Sequence, residues 1–171
     1  MNDEEGANAK GELSMPTPIE LRNEYLARVA DLYAKVKQWM GNIDPSAQLT
    51  EENITIQEDP VGKYSAQSMW IDCPSRKRIQ LIPRGRWILG AEGRVDIKSD
   101  LGMETLVYVE GELFISIREI SDRGTHIGRA SSQPLFEDIA QGWVYLQNSS
   151  VGLMPSLDED LFHRLWEVLS R

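Results

Sequence analysis

Between Ile54 and Ile117 the chain offers seven short strand-like runs and no room for a helix. The runs are Ile54-Gln57, Tyr64-Ile71, Arg78-Ile82, Trp87-Leu89, Arg94-Lys98, Glu104-Val109 and Leu113-Ile117. Turn signals part most of them: Asp59-Pro60-Val61-Gly62, Cys73-Pro74-Ser75, Pro83-Arg84-Gly85, Ser99-Asp100-Leu101-Gly102 and Glu110-Gly111. Parallel neighbours need crossovers of roughly a dozen residues or more, usually helical. These gaps are too short for that. The runs are therefore expected to pair antiparallel, each with the next.

One stretch shows this pattern closely. Trp87-Ile88-Leu89 leads through Gly90-Ala91-Glu92-Gly93 into Arg94-Val95-Asp96-Ile97-Lys98. Two runs joined by a short glycine-bounded turn predict a hairpin, with Gly90 and Gly93 free to take positive φ. Period 2 sets Val95 and Ile97 on one face and Arg94, Asp96 and Lys98 on the other. Val107 to Ile115 predicts a second hairpin turning at Gly111. Gly142-Gln147 reads as one further strand, and Leu135-Ala140 as a single helical turn at most.

Two amphipathic helices bracket the strands. Thr17-Pro18-Ile19-Glu20 is a start signal, with Thr17 as N-cap, Pro18 at the first helical position and Glu20 closing a capping box. Tyr25, Val29, Leu32, Val36 and Trp39 follow at helical spacing, and the stripe ends near Gly41-Asn42. Near the other end, Ser156 and Glu159 predict a second capping box. Leu161, Phe162, Leu165, Trp166 and Leu169 form the apolar face behind it. The fold class expected is α+β: an antiparallel, curved sheet of about seven or eight strands packed by a long N-terminal and a short C-terminal helix. Residues 1–15 read as a disordered leader and 16–171 as one domain, which suits a chain of 171 residues.

Composition narrows the function classes. A net charge of −9 argues against nucleic acid as a partner of the whole surface. One cysteine, Cys73, excludes an internal disulfide and fits a reducing, cytoplasmic setting. With only His126 and His163 beside it, the soft ligands for a zinc site are missing. The acidic start lacks the basic and apolar regions of a signal peptide, and no apolar run is long enough for a bilayer. Arg76 and Lys77 beside Cys73 would favour its thiolate. The polar loop Ser121–Gln133, with Asp122 and His126, is a further place for a binding function.

Against that acidity stands one basic cluster. From Arg76 to Lys98 there are seven basic residues and two acids. Arg84, Arg86 and Arg94 are the candidate binding residues, suited to an acidic partner surface or a phosphate. The same arginines also fit the neutralisation of acids elsewhere in the chain. The expected function is thus a non-enzymatic module for a protein partner, needing no cofactor and no metal, as a monomer or homodimer. The alternative is catalytic. Asp72 with Asp96-Ile97-Lys98 resembles the pattern of the PD-(D/E)xK nucleases. That resemblance implies two carboxylates on Mg²⁺ and a lysine activating water. A strand face with cross-strand ion pairs accounts for the same residues.

Overall fold

The computed structural model describes residues 15–86, 91–110, 114–116, 132–134, 141–146 and 155–171. In chain order these form helix α1 (Pro18–Ile43), strands β1 (Gln48–Glu58), β2 (Gly62–Asp72), β3 (Ile79–Gly85), β4 (Arg94–Ser99), β5 (Gly102–Val109), β6 (Phe114–Ser116), β7 (Ser132–Pro134) and β8 (Gly142–Leu146), then helix α2 (Glu159–Leu169). The protein is α+β. An antiparallel sheet of six strands runs in the order β1-β2-β3-β4-β5-β8, and β6 pairs with β7 in a separate ladder.

The helix starts follow local chemistry. The Thr17 hydroxyl accepts from the Glu20 N–H, and the Glu20 carboxylate accepts from the Thr17 N–H at 2.6 Å. The expected box is formed, with Pro18 at the first position. At α2 the cap is Asp158 and not Ser156: the Asp158 carboxylate accepts from the Leu161 N–H at 2.8 Å. Ser156 is taken up by a bridge to Val144.

Both helices cover one face of the sheet. Tyr25, Val29, Leu32, Tyr33, Val36 and Met40 of α1 share a core with Leu161, Phe162, Leu165, Trp166 and Leu169 of α2. Met69, Ile71, Ile79, Leu81, Val95, Ile97 and Leu106 complete it from the strands. Fully burying one such aliphatic side chain contributes about 1.5–3 kcal/mol. Trp39 joins the helices through the Phe162 ring, 5.5 Å between centroids.

A second, smaller core forms on the opposite face, from Val107, Val109 and Val144. β4 is buried on both faces at its centre: Val95 and Ile97 face the main core, and Asp96 on the other face is buried as well. Period 2 placed Asp96 on a charged, open side, and this is a correction.

Two pairings also differ from the expected ones. The partner of β4 is β3, with Gly85 opposite Arg94, so the strand before the turn is Ile79–Gly85. Trp87–Leu89 and Gly90 lie outside the described residues. Gly93 is not at positive φ; among the described glycines Gly62, Gly85 and Gly142 are. β5 has β4 on one edge and β8 on the other, so no edge remains for a hairpin with β6. Gly111, residues 1–14, 121–131 (with Asp122 and His126) and 135–140 lie outside the described residues.

The outer edge of β8 is covered: the Tyr145 N–H donates to Pro155 O and the Leu157 N–H to Trp143 O. At the other end, β1 and β2 pair over their full length, but β2 meets β3 only from Met69 to Ile71. The rest of this hairpin runs on alone, and its end returns over β3, where the Glu58 carboxylate packs on Gly85.

Candidate functional site

The site lies where β3 and β4 part. Their register shifts between Pro83 and Gly85: Pro83 faces Val95, and the next pair is Gly85 with Arg94. Arg84 is the extra residue, a β-bulge. Bulges bend a strand and re-aim a side chain. Pro83 suits the position, because a bulge tolerates a missing N–H.

Here the bulge turns Arg84 onto Asp96. Its Nε lies 2.7 Å from Asp96 Oδ2. Arg94, two residues before Asp96 on the same face, brings its Nε to 2.7 Å from Oδ1. The Thr105 hydroxyl, opposite Asp96 on β5, lies 3.2 Å from the same oxygen. The Asp96 side chain is 1% exposed, while those of Arg84 and Arg94 are 46% and 34% exposed. A buried carboxylate thus holds two guanidinium groups at the surface. Both are held by Nε, and among the described residues nothing bonds their Nη atoms. The net charge of the three groups is +1.

Helix α1 fixes the backbone beneath. The Tyr25 hydroxyl accepts from the Gly85 N–H at 3.0 Å and donates to Arg94 O at 2.8 Å. One phenol therefore ties both strands together at the residues flanking the site. Burial, above all, holds Tyr25 protonated well above the usual tyrosine range, with Glu58 and Asp96 pushing the same way. Two glycines permit the arrangement. Gly85 takes φ 119°, and a Cβ there would overlap the Glu58 carboxylate. A Cβ on Gly93 would stand 2.8 Å from the Tyr25 ring. Close packing, not turn geometry, requires Gly93.

Beside the guanidinium pair lies a cleft of about 350 Å³, lined by Ile54, Thr55, Ile56 and Gln57 of β1 and by Ile82, Pro83 and Arg84 of β3. Ile82 stands directly opposite Asp96.

Of the three expected binding residues, the structure brings Arg84 and Arg94 together and leaves Arg86 out. Arg86 pairs with Glu92, and its side chain is only 12% exposed. Elsewhere in the basic cluster, Arg76 bonds Glu167 at 2.9 Å and stacks on Trp166, while Arg78 bonds Asp72 at 2.8 Å and stacks on Trp70. Much of the cluster thus neutralises acids of its own chain.

Asp72, Asp96 and Lys98 do not converge. Asp72 ends β2, Asp96 and Lys98 lie on β4, and β3 runs between. By register Asp72 sits about four residues along from Asp96, roughly 13 Å at ~3.3 Å per residue. Among the described residues no three His, Cys, Asp or Glu side chains are grouped to hold a metal. Asp96 is already engaged by two arginines.

Cys73 is buried, and its thiol is pushed up to about 11, first by burial and then by the Asp44 carboxylate. Arg76 pulls the other way but weakly, which overturns the expected activation. His163 is exposed on α2, its Nε2 3.8 Å from Glu167. No described helix is long and apolar enough to cross a membrane.

Sequence reasoning had Arg84, Arg94 and Asp96 but kept them in separate hypotheses. It missed Tyr25 and Thr105 as parts of one site. The bulge that joins them had one local signal, a proline and a glycine flanking Arg84 inside a strand. Neither a protein-family model, nor a curated protein, nor a solved structure matches this chain.

Proposed function

We propose that the protein is a non-enzymatic binding module that takes an acidic segment of a partner protein on Arg84 and Arg94. The observation that carries this reading is the Asp96 clamp. A guanidinium can take a carboxylate through its two Nη atoms while Nε is engaged elsewhere. Two such groups, held on one buried anchor, have lost much of their rotamer freedom before a partner arrives. Less entropy is then lost on binding. The residual charge favours an anion locally, although the chain as a whole is acidic. Exposed Lys98, two residues beyond Asp96 on the same face, adds to it.

The test starts from a displayed library of random peptides selected on the protein. Recovered sequences are expected to be rich in Asp and Glu. Arg84→Gln and Arg94→Gln should each weaken them about tenfold or more, the equivalent of ~1.4 kcal/mol. Glutamine is the cleaner replacement, since glutamate would set a second carboxylate against Asp96. Each single variant leaves Asp96 one arginine, so the melting temperature should stay close to that of the parent. Peptides without acidic enrichment, or undiminished binding to both variants, would overturn the reading.

A further inference from the structure

We infer that the segment bound at Arg84 and Arg94 carries an aliphatic side chain beside its acidic residue, and that this side chain enters the cleft between β1 and β3. The inference rests on the binding function proposed above and adds the chemistry of the partner. Its basis is the surface next to the guanidinium groups. Ile54 and Ile82 are only partly buried, and both line the cleft together with Arg84. Its volume of about 350 Å³ falls within the range of ligand sites, roughly 300–1,000 Å³. Partly exposed isoleucines in the same cleft as a fixed cation fit an occupant with an apolar part and an anion a few bonds apart.

The rim favours a peptide over a simple fatty acid. Thr55 and Gln57 are exposed and line the same cleft. Their hydroxyl and amide groups match the amides of a polypeptide. A bare hydrocarbon chain would cover them without replacing their bonds to water, which costs affinity. The hairpin geometry makes the cleft. β1 and β2 outrun β3, and the returning end of the hairpin sets Ile54 to Gln57 across from Ile82 to Arg84. A continuous flat sheet would have offered the arginines without an apolar neighbour.

The experiment measures, by fluorescence anisotropy, the tightest peptide from the library selection and two altered forms. One form has its acidic residues changed to amides, and the other has the neighbouring aliphatic residue changed to serine. Hexanoate serves as the competing small acid. The protein is used as the parent, as Arg84→Gln and as Ile54→Thr/Ile82→Thr. Loss of the aliphatic side chain should weaken binding to the parent about tenfold or more. That penalty should shrink on the Ile54→Thr/Ile82→Thr protein, because the two changes remove the same contact. Where that variant melts early, the peptide forms on the parent protein decide alone. Binding that needs the acid and Arg84 but ignores the aliphatic residue would overturn the inference and leave the acidic-segment reading standing. Binding that ignores Arg84 as well would overturn both. Hexanoate displacing the peptide at an equal concentration would assign the cleft to small acids and also overturn it.

Discussion

Asp96 is held by three groups at once, two guanidinium Nε atoms and the Thr105 hydroxyl. Removing it strands two cations. Breaking a fully buried pair costs about 3–5 kcal/mol. Here the arginines are a third to a half exposed and can turn to water, so the cost is smaller. Asp96→Ala is expected to lower unfolding stability by about 1–3 kcal/mol, read from urea denaturation. The same variant should weaken the selected peptides although it removes a negative charge, because the arginines lose their anchor. Peptide binding that tightens would show that Asp96 opposes the partner instead of presenting the arginines. From sequence, Asp96 belonged to an exposed, charged strand face. Alternation reports which residues share a face, not whether that face is open. At Asp96 it is closed by Arg84 from β3, Arg94 from β4 and Thr105 from β5, contacts that alternation within one strand does not report.

At the scale of elements, the bulge between β3 and β4 and the helix behind it act as one unit. Tyr25 links the two through a hydroxyl that both accepts and donates. Tyr25→Phe keeps the ring against Gly93 but takes one partner from the Gly85 N–H and one from the Arg94 carbonyl. A cost of about 1–3 kcal/mol is expected. Peptide affinity should fall with it, since both arginines leave the backbone next to those atoms. Gly85→Ala should be worse tolerated, because it adds backbone strain at φ 119° to overlap with Glu58. Thermal unfolding of the two variants side by side checks the order. Unchanged stability in Tyr25→Phe would show that the phenol does not brace the bulge. The helix starts were legible because capping is local: Thr17, Pro18 and Glu20 lie within one turn. The second cap went to Asp158 because Ser156 is drawn into the edge of β8, a contact invisible to a local rule. Strand positions were largely legible too, but their partners were not. Pro83-Arg84-Gly85 reads as a turn by composition and in the structure continues β3 as a bulge, which is what brings Arg84 to Asp96.

For the whole molecule, the titrating groups set a window of pH. Burial raises Tyr145 from its ordinary 10.0 to about 12 and Cys73 from 9.0 to about 11. Tyr25, Tyr33 and Tyr64 are raised further, again chiefly by burial. A group raised on folding stabilises fully below its unfolded value and loses that contribution as pH climbs past it. The melting temperature should therefore fall from about pH 9 upward. On the acid side, hydrogen bonds lower Glu20 from 4.5 and Asp44 from 3.8, so their contribution persists above those values and is lost as pH falls through them. A melting curve series across pH checks both limbs, and an alkaline limb that stays flat would contradict the burial of these tyrosines. Net charge and composition named no site, since seven basic residues against two acids say nothing of which are already paired. The central claim is that Asp96 pins Arg84 and Arg94 by Nε and leaves their outer nitrogens for a partner's carboxylate. The most direct measurement is side-chain ¹⁵N NMR of the arginines during titration with a selected acidic peptide. The account predicts slowly exchanging Nε–H signals for Arg84 and Arg94 in the free protein. It further predicts that their guanidinium signals shift on addition of peptide while those of Arg76 and Arg78 stay in place. Shifts confined to other arginines, or none at Arg84 and Arg94 while the peptide binds, would contradict it.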